Sequence, residues 1–453
     1  MAYEQAPSRP RKAARVIRWS VLAIVLVGIT IMGYLHQVMG VGKPVGVDAL
    51  CPMGGLETLG TLVADGFFVK RVAFSSLLLL IAAVATALVF RRVFCGRICP
   101  LGYLQELFGG IGRRIFKRRL TLPAVLDRPA RYLKYVVLFV ILYFTWRTAT
   151  LVIRPYDPWV AYQHLTSAEL LTEFGVGFAV LAISLVGSIV YDRFFCKYAC
   201  PMGAFLGLIS RLSVFKIRRN TETCIDCKLC DRACPVNITV SEVETVMSAE
   251  CIDCGECVSA CPVKDTLATS AGNKATLGPV TTAALSVGLF ALLVAIATLL
   301  GGFQWTTQSL RERAENPTTE FLGIDVPSEQ GQGALPLSGT GEGSEAGAAA
   351  TAPEAATGDV IVGVDGLTFD TALIKGSTTL AEVIDVSGIP GSVFTQVYGV
   401  PESEYSQQLK VLKDIYGCYP GEIRGFVSAY LADPGIVDGY SAGDSHAEEE
   451  EDH

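Results

Sequence analysis

The chain has 453 residues, of which 51% are hydrophobic and 18% charged, a balance that excludes an ordinary soluble globule and points to a membrane protein. The formal net charge of −7 is uneven: after Phe303 there are 6 Lys and Arg against 25 Asp and Glu, so a basic first part carries an acidic tail. The basic residues flank apolar runs, where they serve membrane topology, and nothing in their arrangement points to nucleic acid.

Five runs reach the length of a membrane span, about 20 residues: Trp19–Met39, Val72–Phe90, Tyr132–Thr148, Leu170–Val190 and Val280–Leu300. The first follows the basic arm 1–18 and reads as an uncleaved anchor, since no A-x-A-like site comes after it. Lys and Arg are rich in the arm, in 91–131 and in 191–219, and sparse in 41–71 and 149–169. That alternation predicts a cytoplasmic N-terminus and a C-terminal part outside the cytoplasmic membrane.

The stretch "RVFCGRICPLGYLQEL" from Arg92 repeats as "RFFCKYACPMGAFLGL" from Arg193, each directly after an apolar run. Both carry Cys-x-x-x-Cys-Pro, at Cys95 and Cys99 and at Cys196 and Cys200, and a basic amphipathic stretch follows each. A weaker echo, "CPMGG" from Cys51, lacks the first cysteine. The two pairs would offer four thiols at the cytoplasmic boundary, for a shared metal or cluster site, for redox-active thiol pairs, or for helix-end packing alone.

"CIDCKLCDRACP" at 224–235 and "CIDCGECVSACP" at 251–262 are both C-x2-C-x2-C-x3-C-P, the bacterial two-cluster ferredoxin run. In that run three closely spaced thiolates take three corners of one cubane and the fourth cysteine ligates the other cluster. Cluster I therefore takes Cys224, Cys227, Cys230 and Cys261, and cluster II takes Cys251, Cys254, Cys257 and Cys234. Zinc or unconnected buried cysteines are the alternatives, and two identical spacings argue against both.

Residues 304–357 read as a flexible acidic linker rich in Gly, Ser, Ala, Pro and Glu. Beyond it, 358–435 regains apolar periodicity in two segments, from Leu380 and from Leu409, each with glycine eight residues on. This predicts two related helical hairpins, followed by an acidic tail at 436–453. Cys418 and Cys51 fall on the same predicted side, where they could pair. His36 and His164, with Asp157, are the candidates for a quinol-binding role near the membrane interface.

Residues 19–265, with "ALCPMGGLETL", the paired Cys-x-x-x-Cys-Pro and the tandem ferredoxin runs, resemble the membrane-bound polyferredoxin family related to NapH, NosR and CcoG. The resemblance implies cytoplasm-facing [4Fe–4S] clusters and electron transfer between the quinone pool or a cytoplasmic donor and an extracytoplasmic or membrane-associated oxidoreductase. It gives no counterpart for the C-terminal part, and no flavin-binding domain precedes the first apolar run. The expectation is an α-helical integral membrane protein of about five transmembrane helices. It has a four-helix membrane domain (19–220), a ferredoxin-like domain (221–270), a fifth helix (276–303) and a small, mostly helical extracytoplasmic domain. The expected function is an electron relay, an electron-transfer subunit of the quinol dehydrogenase kind; a redox maturation factor that reduces metal or thiols for a respiratory enzyme is the alternative.

Overall fold

Runs of Leu, Ala, Val and Ile bounded by Arg, Pro and Gly favour helices, and in the computed structural model most of the apolar sequence is helical. The structure describes residues 9–39, 44–65, 74–117, 122–148, 151–167, 170–171, 173–272, 275–307, 310–315, 318–321, 324–327, 360–376 and 378–438. They divide into two units: Met1–Gln37 with Val45–Trp305, and Val38–Pro44 with Thr306–His453.

In the larger unit, α1 (Arg9–Val38) starts among arginines and runs for about 45 Å at 1.5 Å per residue. It is followed by α2 (Pro52–Asp65), α3 (Phe74–Phe90), α4 (Val93–Arg97), α5 (Pro100–Phe116), α6 (Ala124–Ala130), α7 (Leu133–Thr148), α8 (Pro158–Gln163), α9 (Gly175–Val190), α10 (Phe194–Tyr198) and α11 (Pro201–Ile209). Helix α2 packs on α3 and α7, α5 runs along α9, and α11 lies against α7.

Among the described residues, two helices are long and apolar enough to cross a membrane, Arg11–Val38 within α1 and Pro279–Leu299. The other three expected spans are shorter: α3 has 17 residues and α7 and α9 have 16 each. That is roughly 24–26 Å against a hydrocarbon core of about 30 Å. The fourth is shortened because Phe174 caps α9 and residues just before it turn. All the same, Ile24, Ile81, Phe139, Ile183 and Leu292 leave large apolar side chains uncovered on these helices, as lipid-facing surfaces do.

The ferredoxin module follows α11. Strand β1 (Phe215–Arg219) pairs antiparallel with β2 (Leu267–Ala271), Phe215 opposite Ala271 and Arg219 opposite Leu267. Beyond β2 comes β3 (Ala275–Leu277). Between β1 and β2 lie α12 (Leu229–Ala233) and α13 (Glu256–Ala260), packed together. The two cysteine loops ahead of them take the same left-handed turns. Asp226 and Asp253 both have φ of 49°, and Lys228 (56°) matches Gly255 (73°). An L-residue at positive φ is disfavoured by about 1–2 kcal/mol, so the repetition marks a loop shape that the cysteines impose. Helix α14 (Pro279–Leu299) then leaves the module and packs on α3.

In the C-terminal unit, α15 (Leu310–Glu315) puts Leu310 into the core, ahead of hairpin β4 (Thr318–Phe321) with β5 (Ile324–Pro327). Most of the expected linker, 328–357, and the tail from 439 lie outside the described residues. After β6 (Val360–Val362) and β7 (Thr368–Asp370) come α16 (Leu380–Ser387), α17 (Gly391–Tyr398), α18 (Leu409–Tyr416) and α19 (Pro420–Ala432). These four are the two expected hairpins, with Gly388 and Gly417 ending α16 and α18 at φ of 70° and 72°. Their starts pair antiparallel at Thr379 and Gln408. In the repeat Cys418 matches Ile389, and both are wholly buried in the core with Phe394 and Phe426. Cys418 is thus a thiol in an apolar core position of this unit.

Candidate metal centre

Cys224, Cys227 and Cys230 line a small cavity together with Cys261 of the other run, which is the ligand set read from the spacing for cluster I. Cys227 is exposed and Cys224 half-buried, with Ile225, 55% exposed, between them. The second set is deeper: Cys251, Cys257 and Cys234 are buried, and Cys254, like Cys224, is half-buried. Burial, then the neighbouring Cys254, Cys234 and Cys251, pushes the Cys257 thiol well up. Burial likewise takes Cys254 up to about 12, although Arg18 beside it pulls the other way. Four close thiols that resist ionisation together need compensating positive charge, and an iron–sulfur core supplies it, so the donor set fits the cluster.

The thiol quartet is built by the membrane repeat. In each half a five-residue helix carries the first cysteine, and the second cysteine caps the next helix with proline at its first turn. All four cysteines line one cavity, and burial, then Cys196 and Cys95, pushes the Cys99 thiol up, as burial with Cys196, Cys95 and Cys99 does for Cys200. Each half also sends an arginine into the other. Arg193 donates to the Cys95 carbonyl at 2.7 Å, and a Cβ at Gly102 would lie 2.9 Å from its Nη1. Arg92 fills the matching space at Gly203, where a Cβ would come within 2.7 Å of its Nη2. The glycine of Cys-Pro-x-Gly is therefore the seat of the partner half's guanidinium.

The halves differ in what neutralises that arginine. Glu106 holds Arg193 at 2.9 Å and Arg18 at 2.6 Å, all three buried. Burial would raise the Glu106 carboxyl, but Arg193 and Arg18 outweigh it and hold it at about 2. Position 207, which matches Glu106 in the repeat, is glycine. There the ferredoxin loop enters, and Arg92 donates to the Ala249 carbonyl at 2.9 Å and lies 3.6 Å from Glu250.

A cavity of 350 Å³ joins these parts. All four quartet cysteines line it, the ferredoxin module contributes Glu250 and Ile252, and Cys51, Asp157 and Trp159 line it too. Cys51 precedes Pro52 at the start of α2 as Cys99 and Cys200 precede their prolines, so the third echo converges on the same space. Neither proposed histidine is among the lining residues. His164 is buried, its Nδ1 2.9 Å from the Val160 carbonyl and its ring 4.2 Å from that of Phe174. Asp157 does line the cavity, with its Oδ1 accepting from the Trp159 amide at 2.7 Å and capping α8. Among the described residues no three His, Cys, Asp or Glu side chains converge as ligands of a single metal ion.

Gln105 is a site residue that the motifs did not disclose: its Nε2 donates to Cys196 Sγ at 3.3 Å. The repeat held a signal, because Gln105 and Glu106 stand where the second copy has Leu206 and Gly207. Polar residues in one copy facing apolar ones in the other mark where the halves part company.

Two cysteine loops on a ferredoxin module, seated against a helical membrane unit with its own thiol quartet, define an iron–sulfur electron-transfer protein. A 4Fe-4S binding domain matches residues 72–119 and 174–220, one copy per half of the repeat, and a 4Fe-4S dicluster domain matches 216–262. The chain is 34% identical over 213 residues to the "Putative electron transport protein YccM" of Escherichia coli, covering 46% of this chain and 59% of that protein. An uncharacterized protein of Methanocaldococcus jannaschii is 32% identical over 195 residues, 40% of this chain and 71% of its own length. The "Ferredoxin-type protein NapH" of Escherichia coli is 30% identical over 183 residues, 40% of this chain and 59% of the relative. No solved structure matches. The chain belongs to the membrane polyferredoxin-like family of ferredoxin-type electron-transport proteins.

Proposed function

We propose that the protein relays single electrons through two [4Fe–4S] clusters between the quinone pool and a partner oxidoreductase. Cluster I is held by Cys224, Cys227, Cys230 and Cys261, and cluster II by Cys251, Cys254, Cys257 and Cys234. Once bound, the clusters accept and release electrons; the chain fixes their separation, shields them from water and sets their surroundings. Five helices span the membrane, with the arm and ferredoxin module cytoplasmic and the C-terminal unit outside. The observation that supports this reading is the cavity, whose lining includes Asp157, Trp159, the quartet and Ile252 of the cluster II loop. A quinol there would have an apolar enclosure, a carboxylate for its proton and a cluster loop for its electron.

The test fills the cavity without touching a cysteine. Gly28 lines it, and a Cβ there would meet nothing within 4 Å. Gly28→Leu is expected to abolish reduction of the clusters by a short-chain quinol while leaving reduction by dithionite and the iron content unchanged. Unimpaired quinol reduction would sink the proposal. The quartet on the cavity wall favours a second reading, a maturation factor that reduces metal or thiols for another enzyme. In that case alkylating the quartet would block reoxidation by the acceptor and leave quinol without effect.

A further inference from the structure

The two cysteine loops share a sequence and a backbone shape, yet among the described residues the arginines of the membrane unit bond chiefly to the second, with Arg11 on the Cys261 and Val263 carbonyls and Arg131 on that of Val236. Arg91 donates to the Val246 carbonyl at 2.7 Å and to that of Ser248, Arg92 to Ala249 at 2.9 Å, and Arg97 to Asp253 at 2.9 Å. Arg18 reaches Glu256 at 3.1 Å and the Gly96 carbonyl at 2.8 Å. Gly96 itself lies against the Ile252 carbonyl so closely that a Cβ would collide with it. Arg18, Arg91, Arg92, Arg97 and Arg193 are all buried. Lys197, between the cysteines of the second pair, is 1% exposed, and its Nζ has no hydrogen-bond partner. Four carboxylates, Glu106, Glu250, Asp253 and Glu256, pair with these arginines, fewer than the six buried cations.

We infer that the arginines and lysine of the two Cys-x-x-x-Cys-Pro segments are positioning residues for cluster II, docking its loop at the membrane unit and raising its reduction potential above what burial alone would set. A cluster with four thiolate ligands is negative and gains one further negative charge on reduction. Burial disfavours that charge, and unscreened cations favour it. Lys197 is the most telling of the set, because a buried ammonium without a hydrogen-bond partner is costly unless negative charge stands nearby. Asp127, Asp192 and the cluster ligand Cys234 are its negatively charged neighbours, and a bound cluster would add to the first two. Cluster II is then the station next to the cavity, and cluster I, with exposed Cys227, is the station that meets a soluble one-electron carrier. The electron count is unchanged: as one passes between them, one cluster is oxidised and the other reduced.

This inference rests on the two-cluster reading, and the experiment separates the two. Detergent-purified holoprotein is titrated with dithionite and mediators, each cluster is followed by its electron paramagnetic resonance signal, and cluster II is identified by its survival in Cys227→Ser. Lys197→Met and Arg97→Gln are expected to lower the midpoint of cluster II and leave that of cluster I in place, with Arg97→Lys restoring it. Iron should stay at about eight per chain, four for each cubane. Lys197→Met removes no hydrogen bond, so its result stands even if Arg97→Gln fails to fold. Two cubanes with unmoved midpoints, or with both midpoints falling together, overturn this inference alone. Fewer than two cubanes in the unaltered protein overturn the two-cluster reading and this one with it.

Discussion

The two ferredoxin loops are the most informative comparison in the molecule, because sequence and backbone are held nearly constant while the surroundings change. Around Cys224–Cys230 the neighbours are exposed: Ile225, Asp226, Cys227 and Lys228 all face solvent. Around Cys251–Cys257 they are arginines drawn from a sequence stretch about 150 residues earlier, each with a carbonyl or carboxylate partner. Identical motifs thus acquire different chemistry from what packs on them. Asp253 illustrates it: burial raises its carboxyl to about 6, against the pull of Arg97 and Arg91.

The largest expected consequence is in how the clusters are lost. A chelator with mild oxidant should strip iron in two phases of about four irons each, the fast one from the exposed loop. Cys227→Ser should abolish the fast phase and Cys254→Ser the slow one. Iron leaving in a single phase from the unaltered protein would mean that the two loops are equally accessible and that the contrast in burial has no kinetic effect.

Next in size is Glu106→Gln. It leaves Arg18 and Arg193 buried beside a neutral amide, and breaking a buried ion pair from one side costs about 3–5 kcal/mol, so the thermal midpoint should fall. The same change removes negative charge near Cys254 and should raise the cluster II midpoint, the opposite sign to Lys197→Met. The pH dependence has a defined window. The carboxyl sits at about 2 in the folded chain against about 4.3 unfolded. Its stabilisation is therefore complete above about 4.3 and disappears as pH falls towards 2. Acid unfolding of the unaltered protein and Glu106→Gln should converge across that interval; curves that stay parallel would show that the charge on Glu106 contributes nothing.

Much of this was legible in the sequence because cysteine spacing is local: a C-x2-C-x2-C loop declares its shape within seven residues, and the repeat of Cys-Pro-x-Gly declares a second pair of helix starts. The five apolar runs also carried through as helices, although α7 and α9 are shorter than the runs suggested, since hydropathy does not register where a turn such as that at Phe174 ends a helix. What could not be read was who meets whom. Arg92 and Arg193 look like topology signals, and only the fold reveals that each crosses into the other half and that the ferredoxin loop replaces Glu106 for one of them. His164 looked like a proton acceptor because histidine is rare here, yet its ring is packed on Phe174. Cys418 is a lone cysteine in the sequence, and only its match in the hairpin repeat, Ile389, marks its place as an apolar core position.

The smallest effect is the one that sharpens the comparison furthest. Salt shortens the screening length from about 10 Å at 0.1 M to about 3 Å at 1 M, but only where ions can approach. At the exposed loop, counter-ions collect around the more negative reduced form, so the cluster I midpoint should rise modestly with ionic strength. At the enclosed loop the arginines already occupy that role and exclude mobile ions, so the cluster II midpoint should hold still. A redox titration repeated at the two salt concentrations measures both in one sample. If the two midpoints rise together, water and ions reach the second loop, and the buried cations are compensating for Glu106, Glu250 and Asp253 rather than for a cluster.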